Sequence, residues 1–189
     1  MQRPIQFKDY ADLDHIIARD WVNSGAFSEH DQAVFVPHIQ KLKPGDIYLE
    51  IGVDCGKSLA VAYLTSVPGV KFYGVDIVDK PERQELFKKL DEDVVFIHGD
   101  SQEVAKTWDK GKITLLLIDG NHFYGPVKAD IKNWYPHMKP GGEILFHDFC
   151  ESSPGVIQAV GEAAFTPMCK HFETMHDYRL RTSLARIVV

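Results

Sequence analysis

The chain has 189 residues, 44% of them apolar and 11% aromatic, enough for one substantial core and too few for two. A formal net charge of −6 without any cluster of Lys and Arg argues against a nucleic-acid partner, because neutralising phosphates needs a basic stripe. The three cysteines, Cys55, Cys150 and Cys169, form no CxxC pair, so neither a disulfide framework nor a zinc knuckle is indicated and a reducing compartment is expected. The opening MQRPIQFKDYADLDHII carries acids and a proline where a signal peptide needs an unbroken apolar core, and no run approaches the ~20 apolar residues of a membrane span. A cytoplasmic protein without a membrane partner is the expectation.

Helical spacing predicts two N-terminal helices, over 10–22 through Leu13, Ile16, Ile17 and Trp21, and over 31–42 through Val34, Phe35, His38 and Ile39. Lys43, Pro44 and Gly45 break the chain, and short apolar strands then alternate with helical stretches. Strands are expected over 47–51, 71–76, 94–98, 113–118 and 143–147, and helices over 58–66, 81–90, 101–108 and 126–138. Ser153 and Pro154 form an N-cap and first-turn pair for a further helix to about residue 165, and HFETMHDY with RLRTSLARIVV reads as a closing antiparallel hairpin. The expected fold is a single α/β domain over 1–189: a helical cap over 1–43, then a doubly wound, mostly parallel, Rossmann-like sheet over 44–189.

Strands covered on both faces cannot keep an unpaired charge in their interior, so acids directly after apolar runs lie at the sheet's edge. Asp119 follows LLLI, His122 lies three residues on, and His147 with Asp148 follows GEILF; the carboxyl ends of parallel strands are where ligands bind. The first strand ends in Glu50 and runs into Gly52 and Gly56. Gly52 allows the turn off the strand, and Gly56 is expected to let the next helix's backbone N–H groups approach a ligand. The loop is not GxGxxG, since Asp54 replaces a glycine and would repel a pyrophosphate. Asp76 ends the second strand, where an acid accepts hydrogen bonds from ribose hydroxyls, and Asp100 ends the third. Carboxylates gathered around a nucleoside pocket suit a cationic ligand.

In that order, LEIGVDCGKS, YGVDI, HGDS and LLLIDG resemble the class I S-adenosylmethionine-dependent methyltransferases. The block IDGNHFYGPVKADIKNWYPHMKPGGEILFHDF resembles their small-molecule branch, which includes the macrocin and cephalosporin-type O-methyltransferases. The resemblance implies the strand order 3-2-1-4-5-7-6 and S-adenosyl-L-methionine as cofactor. It implies that Gly52 and Gly56 bound the cofactor cavity with Ser58, that Glu50 faces the methionine part, and that Asp76 and Ile77 hold the ribose side. Asp100 and Ser101 would border the adenine, and Asp119 would close the cavity. It also implies a divalent metal, Mg or Mn, on Asp119, His147 and Asp148, although His147 departs from the family's acid or amide at that place and leaves both metal binding and ion choice open.

His122 is the candidate general base for a substrate hydroxyl, oriented by Tyr124, with Asp119 as its catalytic companion. The alternatives are helix capping for His147 and Asp148 and a backbone-bonded loop histidine at 122. The functional expectation is methyl transfer to a hydroxyl of a small or sugar-like molecule. A nucleoside-binding protein without transfer and a nicotinamide-dependent dehydrogenase explain less of the pattern. A homodimer through the N-terminal helices or the closing hairpin is compatible with it.

Overall fold

The computed structural model describes residues 27–88, 90, 94–175 and 183–189. The first helix expected from the sequence, over 10–22, lies outside them, as does His176. In chain order the elements are α1 (Glu29–Ile39), β1 (Ile47–Ile51), α2 (Lys57–Thr65), β2 (Lys71–Asp76), α3 (Pro81–Phe87), β3 (Val94–His98) and α4 (Ser101–Lys106). Then come β4 (Ile113–Ile118), α5 (Tyr124–Trp134), a 3₁₀ turn (Tyr135–His137), β5 (Met138–Phe146), α6 (Pro154–Ala164), β6 (His171–Met175) and β7 (Leu184–Val188).

Seven strands form one sheet in the order β3-β2-β1-β4-β5-β7-β6. The first five are parallel neighbours, while β7 runs antiparallel to both β5 and β6. This is the doubly wound sheet with a closing hairpin read from the sequence. Strand β1 is buried along its whole length, and its alternation divides the core. Ile47, Leu49 and Ile51 pack with Val127, Ile131 and Trp134 of α5 and Val156 and Val160 of α6. Tyr48, facing the other way, packs with Phe35 and Ile39 of α1 and Leu59 of α2.

The ends of several elements differ from expectation for local reasons. Helix α1 starts at Glu29 rather than 31, because Ser28 and Asp31 form a capping box that satisfies the first-turn N–H groups. Helix α5 stops at Trp134 instead of 138, where Pro136 has no N–H to give and the chain tightens into the 3₁₀ turn. Strand β5 starts at Met138, and its register against β4 slips between the Ile113–Met138 and Leu115–Glu143 pairs. The excess residues, with Gly141 at φ +80°, form a bulge. Ser153 stands at the N-cap of α6, yet its side chain makes no capping hydrogen bond; Pro154 alone marks the start.

Candidate functional site

The strand ends β1 to β5 surround a cavity of about 810 Å³. Its wall is built from residues that immediately follow each strand: Gly52, Ile77, Gly99 to Gln102, Asp119 to His122, and His147 with Asp148. Connectivity alone puts them there, since each parallel strand of the sheet delivers its carboxyl end to the same edge. Acids dominate the lining, with Asp54, Asp76, Asp100, Asp119, Asp130 and Asp148 on it and no Lys or Arg among the described lining residues.

Gly52, at φ +83°, has no room for a side chain: a Cβ would lie 2.2 Å from the Asp119 carbonyl oxygen. The ends of β1 and β4 therefore approach as closely as backbones can. Beside them, Asp76 uses Oδ2 to accept from the Asp54 N–H at 2.8 Å and Oδ1 to accept from the Val78 N–H at 2.9 Å. One carboxylate thus pins both the glycine loop and the turn after β2. Arg83 of α3, almost wholly buried, supports the same junction by donating to the Asp54 carbonyl at 2.5 Å and to the Val78 carbonyl, with its guanidinium stacked over Phe96. Nothing in PERQELF separates Arg83 from a surface arginine, so sequence reasoning missed it. Ile77 is 67% exposed on the cavity wall, a large apolar side chain left facing open space.

Three expected cofactor contacts are corrected by their placement. Glu50 is fully buried behind the wall instead of facing the cavity, accepting from Tyr48 Oη at 2.6 Å and Ser58 Oγ at 2.5 Å; burial pushes its pKa up to about 8. Ser58 is occupied by that bond and is equally buried. Gly56 is needed for its φ of +91° and for packing, since a Cβ there would meet Phe87 at 2.8 Å and Leu86 at 3.2 Å, side chains of α3 and not cavity space. Asp100 does border the cavity, but its Oδ1 caps α4 by accepting from the N–H groups of Gln102 and Glu103. Ser101 donates its hydroxyl to Asp130 of α5, a buried acid on the cavity wall that the sequence reading passed over.

At the other end the acids and imidazoles converge. His122 Nε2 lies 3.7 Å from Asp119 Oδ1 and 3.2 Å from Asp148 Oδ2. The Asp119 hydrogen bond, together with the nearby Asp148 charge, raises the His122 pKa, and the ring stays 44% exposed to the cavity. His147 is only 6% exposed, with Nδ1 3.2 Å from both Asp119 and Asp148 and Nε2 3.5 Å from Asp31 of α1. Burial opposes its charge, but the carboxylates of Asp119, Asp148 and Asp31 around it outweigh that and push its pKa up to about 12. With both ring nitrogens turned to carboxylates, His147 lies outside the cluster that could hold a metal, in contrast to the ligand role expected of it. The side chains whose ligand atoms lie within 4.8 Å of one another are instead Asp119, His122 and Asp148, an oxygen-rich set with one imidazole. Asp31 is the outer partner that sequence reasoning missed; its S-x-x-D capping pattern announces a helix start and says nothing of the site.

Tyr124 does not orient His122, because its hydroxyl donates to Glu162 of α6 at 2.8 Å and receives a bond from Lys128 at 2.6 Å. The His122 loop is held by packing: Gly155, in the first turn of α6, lies so near that a Cβ would stand 2.5 Å from the His122 carbonyl oxygen. Cys55 is buried, and burial raises its thiol pKa to about 11, which leaves it unreactive.

Comparison with known proteins adds an independent finding. The profile of a family described as a methyltransferase domain matches residues 49–149. The chain is 28% identical over 111 residues to the mycinamicin VI 2''-O-methyltransferase of Micromonospora griseorubida, covering 53% of this chain and 26% of that protein. The curated relatives matched first are longer, and the chain spans 4% to 58% of their lengths. Among solved structures, the S-adenosylhomocysteine-bound methyltransferase PaMTH1 of Podospora anserina superposes with a TM-score of 0.76 at 15% identity, over 98% of this chain and 89% of that one. MycE, a methyltransferase of mycinamycin biosynthesis solved with Mg, S-adenosylhomocysteine and mycinamycin VI, gives a TM-score of 0.62 at 19% identity over 93% of this chain and 53% of its own. No described helix is long and apolar enough to cross a membrane.

Proposed function

This chain belongs to the methyltransferase-domain family, and from that premise we propose that it transfers the methyl group of S-adenosylmethionine to a hydroxyl of a small or sugar-like molecule. The observation that carries the reading is an acid-lined cavity at the strand ends, with Asp76 in its wall and the Asp119, His122 and Asp148 cluster in the same wall. A sulfonium and an α-ammonium are both positive, and a cavity with six aspartates and no described Lys or Arg on its wall favours them. The same polarity favours an uncharged or cationic acceptor.

Asp76 takes the ribose hydroxyls, with lone pairs left after its two backbone bonds. The close approach of Gly52 to Asp119 leaves a narrow wall for the methionine part. Glu50 and Ser58 act beneath that wall as support. His122 removes the acceptor's hydroxyl proton, and Asp119 and Asp148 stabilise the imidazolium that results. The acceptor oxygen then bonds to the methyl carbon as the carbon–sulfur bond breaks, the electron pair leaving with a neutral thioether. His147 holds Asp119 and Asp148 in place as a fixed counter-charge.

The chemistry of the donor set Asp119, His122 and Asp148 fits a divalent ion such as Mg or Mn, as does the Mg in MycE. Bound there, it would acidify the acceptor hydroxyl and relieve His122 of that task. Isothermal titration with S-adenosylmethionine tests the core of the proposal. No heat at millimolar cofactor, together with no thermal protection by S-adenosylhomocysteine, refutes it.

A further inference from the structure

We propose that Asp130 reads the nucleobase of the bound nucleoside, its carboxylate accepting from the exocyclic amine of a 6-aminopurine and selecting against a 6-oxopurine. The inference rests on the nucleoside reading of the cavity and goes beyond it, since it assigns base recognition to helix α5 and not to the acid that follows β3.

Four observations carry it. Asp130 is 4% exposed, and its small remaining surface is on the cavity wall. Its neighbours along α5, Val127, Ile131 and Trp134, are buried in the apolar core, so Asp130 is a charged group where the helix otherwise buries hydrocarbon. The Ser101 hydroxyl donates to Oδ1 at 2.5 Å, and among the described residues no Lys, Arg or His pairs with the carboxylate. Burial raises its pKa to about 6. A carboxylate held this way keeps acceptor capacity that only a donor arriving in the cavity can use.

The rest of the wall says what brings that donor. Asp130 is tied by Ser101 to the Gly99 to Gln102 segment of the wall, and the Gly99 N–H in turn donates to the Asp76 carbonyl at the end of β2. With ribose on Asp76, the group lying beyond it is the base, and the apolar lining includes the exposed Ile77 and the half-buried Pro126, which suit a flat ring. Asp100, the other acid here, has its Oδ1 committed to the N-terminus of α4. A 6-amino group donates to Asp130, whereas a 6-oxo group sets oxygen lone pairs against a buried acceptor.

The test is calorimetric titration of the parent protein and of Asp130→Asn with S-adenosylhomocysteine and with S-inosylhomocysteine, which carries the 6-oxo base. The parent should prefer the adenine compound by about 10- to 100-fold. Asp130→Asn keeps an acceptor for Ser101 and gains an amide donor for the 6-oxo group, so its preference should collapse to within about 3-fold. Equal affinity of the parent for both compounds overturns the proposal without any variant. A variant that keeps the parental preference, or that loses affinity for both compounds equally, also overturns it and assigns Asp130 a structural role. If neither nucleoside binds the parent, the cofactor reading itself fails and takes this inference with it.

Discussion

Gly155→Ala is the sharpest available probe of how α6 positions the His122 loop. Gly155 has no left-handed backbone, so what excludes a side chain there is steric contact alone. A Cβ there would stand 2.5 Å from the His122 carbonyl oxygen, 2.5 Å from the Tyr124 nitrogen and 2.9 Å from the Phe123 carbonyl carbon. All three are backbone atoms, which cannot rotate aside as a side-chain tip can, so either the first turn of α6 or the His122 loop must retreat. Reaching an ordinary contact of 3.4 Å requires a shift of roughly 0.9 Å, the difference between 3.4 and 2.5. Alanine gains ~1 kcal/mol in helix propensity, against an overpacking cost of ~1 to 3 kcal/mol. The net loss should be about 0 to 2 kcal/mol, or a few degrees in Tm for a chain of this size. The functional effect should be larger, because His122 is set 3.2 Å from Asp148 by this packing, and a displacement of about 1 Å at a reacting group can cost ~100-fold in rate. Gly161→Ala on the same helix is the control, since nothing lies within 4 Å of its Cβ and it should be mildly stabilising. Thermal unfolding, S-adenosylhomocysteine titration and turnover should show Gly155→Ala binding the nucleoside normally while turning over slowly. A Gly155→Ala protein as stable and as active as Gly161→Ala would refute the reasoning.

Glu50 carries a pH signature: its folded pKa of about 8 stands above the ordinary carboxyl value of 4.5, so the stabilisation of its neutral form is complete below pH 4.5 and is lost as pH rises towards 8. Between pH 4.5 and 6.5 His147 is charged whether folded or unfolded, so denaturant unfolding of Glu50→Gln should lose less stability across that window than the parent does; parallel curves would mean that Glu50 is ionised in the fold. Asp76→Ala should weaken S-adenosylhomocysteine binding by ~1 to 3 kcal/mol through lost ribose bonds and should also lower Tm, because the Asp54 and Val78 N–H groups lose their acceptor. Unaltered affinity would remove the ribose assignment. Asp119→Asn and Asp148→Asn should each blunt any stimulation of turnover by Mg or Mn after exhaustive chelation, whereas His147→Asn should leave the ion's apparent affinity nearer the parental value; loss of ion response only in the histidine variant would reverse the ligand assignment made from the geometry.

Much of this architecture was legible from residues alone. The boundaries of β1 to β4 coincide with those read from the sequence; β1 and β4, buried nearly throughout, must be largely apolar along their length, and even the partly exposed edge strand β3 ends where His98 and Gly99 break the apolar run. For the same reason Asp76 and Asp119 were recognisable at the cavity edge: chain direction in a parallel sheet dictates where a residue following a strand must lie. Facing and partnership were decided only by tertiary packing. Glu50 turned behind the wall because the ladder alternates its side chain to the face shared with Tyr48 and Ser58. Gly56 met α3, and His147 gained a third carboxylate neighbour, beyond Asp119 and Asp148, only once α1 brought Asp31 against it. Asp130 joined the cavity because α5 packs beside Ser101 of α4. Those outcomes depend on contacts between segments far apart in the chain, and hydrophobic periodicity carries no information about which distant carboxylate an imidazole will meet.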